Sequence, residues 1–160
     1  MVNLQKGLVG HWTMDDADTS GGTLYDRSAY DNHAQIRGPS TDQSGKISES
    51  YMFDAASNDD VYIPVDYQEE ESIGSKDIGT MSAWYKYNTD GVFFGTPNGR
   101  DRRMRIQNSS VEVGVYYGDT SQIEYVTTAQ PNDGNWHHVV MTYKVPGFDI
   151  ELYFFLILTF

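Results

Sequence analysis

Gly134-Asn135-Trp136-His137-His138-Val139-Val140-Met141-Thr142-Tyr143 is the stretch on which the fold class turns. It follows the turn cluster Pro131-Asn132-Asp133-Gly134-Asn135, is rich in β-branched and aromatic residues, and shows no 3.6-residue period, so it reads as a strand. The same pattern recurs outward from it. Ile123-Glu124-Tyr125-Val126-Thr127 is a second strand, and Val111-Glu112-Val113-Gly114-Val115 alternates so as to put three valines on one face. Met104 and Ile106 alternate with Arg103, Arg105 and Gln107, and the Asn108-Ser109-Ser110 link predicts a hairpin between the two runs. Residues 81–87 form another strand, and Tyr51-Met52-Phe53 and Val61-Tyr62-Ile63-Pro64 bracket a polar loop at 54–60. Only residues 68–72 could make one helical turn. Many short strands separated by Gly, Asp, Asn and Ser clusters predict an all-β, antiparallel two-sheet sandwich of the jelly-roll kind.

The 160 residues suit a single domain spanning 1–160. No cysteine is present, which removes disulfides, thiolate metal sites and cysteine nucleophiles. A net charge of -12 disfavours nucleic acid, and the one basic cluster, Arg100, Arg102, Arg103 and Arg105, is small and flanked by acid. Sixteen of the 23 carboxylates are Asp, against five Lys. Short, strongly hydrated carboxylates suit a protein solvated in brine, where screening over about 3 Å at 1 M salt quenches their repulsion. A calcium-rich extracellular module or an ordinary acidic domain has the same composition.

The first ten residues, Met1-Val2-Asn3-Leu4-Gln5-Lys6-Gly7-Leu8-Val9-Gly10, carry no signal-peptide core. Residues 151–160, Glu151-Leu152-Tyr153-Phe154-Phe155-Leu156-Ile157-Leu158-Thr159-Phe160, are nearly all apolar yet far short of the ~20 residues of a spanning helix, so no membrane span is expected. Left exposed, such a run would aggregate. It is therefore expected to be a buried strand or a strand that pairs with another subunit.

The order of these motifs resembles the laminin-G-like, concanavalin-A-like jelly-roll domains. Members open with an aromatic and an acidic pair and then a D-x-S-G-x-G-N-x-G-like loop; here stand Gly7-Leu8-Val9-Gly10-His11-Trp12-Thr13-Met14-Asp15-Asp16 and Asp26-Arg27-Ser28-Ala29-Tyr30-Asp31-Asn32-His33-Ala34. A G-x-x-x-x-S-x-x-F-D-G segment leading to D-D-Y-V-x-I-P is matched by residues 45–54 and by Asn58-Asp59-Asp60-Val61-Tyr62-Ile63-Pro64. T-I-S-A-W and G-x-W-H-H-V-x-x-T-Y are matched by Thr80-Met81-Ser82-Ala83-Trp84 and by the stretch quoted first. The likeness covers residues 7–153. Ala29 and Tyr30 replace loop glycines, and the resemblance implies further strands after Tyr153, so an incomplete sandwich with an open edge is expected.

Several residue sets invite a functional reading. Trp12, Trp84 and Trp136 sit where the resembled family packs its core. Tyr116, Tyr117 and Tyr125 are the candidate ligand-binding residues, because aromatic rings on a sheet face can hold sugar rings; cross-strand pairing is the competing reading. His137 and His138 are adjacent on a strand, point to opposite faces, and so cannot ligate one ion together. His11 and His33 are isolated. Asp16-Ala17-Asp18-Thr19-Ser20-Gly21 matches half a calcium loop, with Arg27 where the bidentate Glu would stand. The resemblance implies a structural calcium held by loop groups, which would fall on Asp26, Asp31, Asn32, Asp54 and Asp59. No E-x-D-x-x-E strand, G-x-S-x-G, P-loop or H-E-x-x-H occurs, so no enzyme is expected.

Two functions remain open. One is a non-catalytic extracellular module that recognises a glycan or host-surface receptor in adhesion. The other is a structural virion component (decoration, spike or turret) of a virus infecting a halophilic archaeon, joined to other subunits through the C-terminal strand.

Overall fold

A computed structural model describes residues 7–64, 78–87, 91–95, 102–107, 110–117, 122–129, 133–144 and 149–155; over 91–95, 102–103, 107, 115–117, 122–126 and 149–155 the description is of backbone. Regular structure among these residues is strand, every pairing is antiparallel, and two short 3-10 turns, Asp16–Asp18 and Ala55–Ser57, complete it. The chain forms two compact units, Met1–Ile73 and Gly74–Phe160.

In the first unit, β1 (Thr19–Ser20), β2 (Thr23–Leu24), β3 (Ala34–Arg37) and β6 (Asp60–Tyr62) make a sheet in the order β1-β2-β3-β6. Between β3 and β6 the chain turns back as the hairpin β4 (Ser40–Ser44) and β5 (Glu49–Met52). Leu24, Ala34 and Tyr51 are buried at its centre, with Trp12, Met14, Ile36, Val61 and Ile63 packed against them. The Trp12 ring folds back over Gly10, where any Cβ would overlap it. Glu49 locks the hairpin to the segment before β1. Its carboxylate accepts from Asp16 N at 2.6 Å while its own N–H donates to Asp15 Oδ1 at 3.0 Å.

The second unit holds two sheets. β8 (Gly91–Gly95), β9 (Arg102–Gln107), β10 (Ser110–Tyr117) and β11 (Gln122–Ala129) run as a meander, and β7 (Ile78–Lys86), β12 (Trp136–Lys144) and β13 (Asp149–Phe155) form the order β13-β12-β7. β12 carries the stretch on which the fold class was read, and alternate residues His137, Val139, Met141 and Tyr143 are buried. They meet Tyr85 on β7, Met104 and Ile106 on β9, and Val111 and Val113 on β10, which is the two-sheet sandwich the alternation predicts. Each fully buried Val or Met contributes about 1.5–3 kcal/mol of transfer free energy. A one-residue slip of β12 would export that whole set, so the register is strongly specified. At the far end Tyr143 pairs with Gly79 and lays its ring across it, occupying the space a side chain there would need.

The expected hairpin is present, with Gln107 opposite Ser110; Asn108 and Ser109 lie outside the described residues. The expectation of core tryptophans needs correcting for Trp84 and Trp136. Both are half-buried on the β7–β12 face opposite the core cluster, where Trp84 stacks on His138 at 4.8 Å. The parity that buries Val139 and Met141 leaves the large rings on the other side. The C-terminal strand begins at Asp149 and runs to Phe155, paired with β12; residues 156–160 of the expected 151–160 strand lie outside the described set.

Candidate functional site

The densest polar construction is the loop after β2, built on the carboxylate of Asp26. Asp26 is only 6% exposed. Its Oδ1 accepts from the backbone N–H of His11 at 2.7 Å and of Ser28 at 2.9 Å; Oδ2 accepts from the Ser28 hydroxyl at 2.5 Å and from Asn32 N at 3.0 Å. Burial on its own would raise the Asp26 pKa, but these bonds to the charged form from Ser28, His11 and Asn32 prevail and hold it below the usual 3.8. The neighbours are tied to the same centre. Asn32 donates its side-chain amide to the Val9 carbonyl at 2.6 Å and accepts from the Trp12 indole at 2.9 Å. Ser28 Oγ accepts from Tyr30 N at 3.2 Å, and Arg27 N donates to the His11 carbonyl at 2.9 Å.

Asp18 supports this loop from below. It is buried, accepts from Thr13 Oγ1 at 2.6 Å, and is ion-paired with the guanidinium of Arg27. Arg27, which stands where a calcium loop would carry its closing Glu, thus neutralises one of the carboxylates that reading would give to the ion.

The expected metal residues separate into two groups. Asp26 and Asn32 share the loop just described, with Asp31 exposed between them at φ 53 and its carbonyl accepting from His33 N at 2.7 Å. Asp54 and Asp59 belong to the turn before β6, where Asp59 Oδ2 accepts from Asp54 N at 2.8 Å and Asp54 Oδ1 from Ala56 N at 2.9 Å. Calcium takes six to eight oxygens with their lone pairs directed at it. The Asp26 oxygens are each engaged by two donors, and among the described residues no three carboxylates or imidazoles gather in a set that could hold a metal ion. This donor set does not fit the ion.

The expected ligand-binding tyrosines lie in the second unit, on the β10–β11 ladder. Tyr116 pairs with Ile123, Tyr117 with Gln122, and Tyr125 with Gly114, so Tyr116 and Tyr125 occupy diagonal positions while Tyr117 has the other parity. Their side chains are outside the described set. Across β9 and β10 the half-buried Arg105 and Glu112 are paired at 2.7 Å.

The two histidines of β12 point to opposite faces. His137 is buried beside Tyr85 and meets the carboxylate of Asp133 at 2.8 Å, and that contact, with Asn135 N on the same oxygen, lowers the Asp133 pKa to about 2. His138 lies under Trp84, and burial lowers its pKa.

Sequence reasoning passed over Tyr25 and Tyr30. Both flank Asp26, and they are 40% and 42% exposed. The signal was present in two aromatic residues bracketing the loop motif, one of them on a position where the resembled pattern has glycine.

The model of the laminin G-like family described as the concanavalin A-like lectin/glucanases superfamily matches residues 56–154, more than half the chain. No curated protein and no solved structure matches it.

Proposed function

The chain belongs to the concanavalin A-like lectin/glucanase superfamily, and we propose that it is a non-catalytic module that recognises a glycan or a partner surface outside the cell. The β10–β11 register supports this reading most directly. It sets Tyr125 opposite Gly114 and Tyr116 diagonal to it, so two aromatic positions flank one that has no side chain. Aromatic side chains at these two positions are the type that holds a sugar ring by stacking. The half-buried Arg105–Glu112 pair beside it offers donors and acceptors for hydroxyl groups. Titration with a panel of oligosaccharides tests the reading: binding weakened by Tyr116→Ala and Tyr125→Ala supports it, and no binding at millimolar sugar removes the glycan version.

A second reading, a subunit of a surface assembly such as a virion coat, rests on β13. Among the described residues β13 pairs with β12 alone, and its second half, Leu152-Tyr153-Phe154-Phe155, is apolar, so a strand from another subunit could extend the sheet there. A monodisperse monomer in 2 M salt would count against it. No helix among the described residues is long and apolar enough to cross a membrane.

A further inference from the structure

We propose that Asp133-Gly134, the turn that opens β12, is a self-modification site: Asp133 isomerises to isoaspartate through attack by the Gly134 backbone nitrogen, and the contact with His137 holds the reaction back. This chemistry is independent of the recognition role proposed above.

Two features make the pair reactive. The Asp133 side chain is 41% exposed, so the carboxyl has room to turn and water can reach it. Gly134 carries no Cβ to hinder attack at its nitrogen, lies at φ 71, and has open space on the side where a Cβ would stand. The reaction balances with water as its only co-reactant. Gly134 N bonds to Asp133 Cγ, and one carboxyl oxygen leaves as water with the carboxyl proton and the amide proton, closing a cyclic imide. Water then opens the ring. Cleavage of the new N–Cγ bond restores aspartate, whereas cleavage between Gly134 N and the Asp133 main-chain carbonyl leaves the chain running through Cγ, with the α-carboxylate as the side group.

The fold opposes this reaction at one atom. Asp133 Oδ1 accepts from Asn135 N at 2.9 Å and meets His137 Nε2 at 2.8 Å; a carboxylate only accepts, so Nε2 carries the proton. Both bonds favour the ionised carboxylate, a poor acyl group because oxide does not leave, and hold it in one orientation. His137 is a fixed anchor, 2% exposed and packed beside Tyr85. Isomerisation lengthens the main chain by one methylene where it enters β12 and sets the remaining carboxylate directly on Cα, where it reaches one carbon less far. His137 heads the buried row that continues through Val139, Met141 and Tyr143, so the modification loosens the strand that carries the core.

The test is site-resolved mass spectrometry of the full chain aged for weeks in neutral buffer at physiological temperature. Electron-transfer fragmentation identifies isoaspartate, which leaves the mass unchanged, and separates residue 133 from the other Asp-Gly pair, Asp90-Gly91. The expected result is slow accumulation at 133 in the native chain, about tenfold slower than in the same chain unfolded in urea. His137→Phe, which keeps a ring beside Tyr85 but donates nothing, should react about tenfold faster than the native chain. His137→Gln, whose amide nitrogen takes the place of Nε2, should stay near the native rate. Amide-exchange protection of Val139 and Met141 shows whether β12 is docked in each variant, and the comparison with urea needs no variant. Absence of isoaspartate at 133 from both His137→Phe and the unfolded chain overturns the site. Equal rates in the native and unfolded chains, or equal acceleration in His137→Phe and His137→Gln, overturn the part given to the His137 contact.

Discussion

Replacing Asp26 by Asn tests whether one carboxylate organises the loop of the first unit. The change is nearly isosteric, so packing around a side chain only 6% exposed is preserved and the chemistry alone is altered. Asp26 accepts four hydrogen bonds, from His11, twice from Ser28, and from Asn32. The amide oxygen of Asn keeps two donors at reduced strength. Its NH2 group faces the other two: the Ser28 hydroxyl can rotate to accept, but Asn32 N–H is left opposed by a donor. One lost bond to a charged acceptor costs about 1.5–3 kcal/mol, and weakening the rest adds about 1, so the variant should lose about 3 kcal/mol, roughly a hundredfold in the unfolding constant. Urea denaturation followed at the Trp12 indole resonance reads this unit directly, because that N–H donates to Asn32 O. The pH dependence has a definite sign. With its pKa in the fold below 3.8, ionised Asp26 stabilises fully above 3.8, and this contribution drains away as pH falls through the lower folded value. The gap between wild type and variant must therefore close in acid. A loss below about 1 kcal/mol at neutral pH, with the indole resonance unmoved, would refute the reasoning.

Four further outcomes are expected. Gly79→Ala should destabilise the second unit by about 2 kcal/mol in a thermal melt, since the added methyl must displace the Tyr143 ring from a close-packed position. The Asp133 carboxyl carbon should titrate near pH 2 by NMR, and the stabilisation from its contact with His137 should be present above 3.8 and lost between 3.8 and about 2. Burial lowers the His138 pKa from 6.5, so its neutral form is favoured in the fold: stability should decline as pH drops below 6.5, and His138→Phe should flatten that part of the curve. Chelation should leave the melting temperature unchanged, because the Asp26 loop is closed by protein donors; a shift on chelation followed by recovery with calcium would place an ion on this chain.

The second unit was the more legible in sequence, for a physical reason. β10 and β12 each bury one face, so period-2 alternation is written into them, and Val111, Val113, Val139 and Met141 fell on the core as the pattern requires. β1 and β2 have two residues each, too few for any period to register, and β4, Ser40-Thr41-Asp42-Gln43-Ser44, has no apolar residue to mark it. The tryptophans show where composition misleads. Size favoured burial of Trp84, but the ladder that pairs it with His138 had already assigned its parity to the other face. The site was legible as a motif and not as a mechanism: the Asp26–Asn32 spacing was visible, and a calcium ligand and a hydrogen-bond hub make the same demand for an acidic residue there. Only the positions of the His11, Ser28 and Asn32 donors distinguish them.

The connectivity of the second unit has a kinetic side. β8 through β11 follow one another as a meander, each strand pairing with its neighbour in sequence, and the β9–β10 link closes over two residues. β7 and β12 pair directly, although the whole meander is inserted between them. Closing that long loop is entropically costly while the intervening chain is loose and less so once the meander has collapsed. The topology therefore predicts an order of folding, local hairpins before the β7–β12 zipper, which a lower φ-value at Val139 than at Val113 would bear out. During synthesis the β7–β12 ladder can form only after residues 136–144 have left the ribosome.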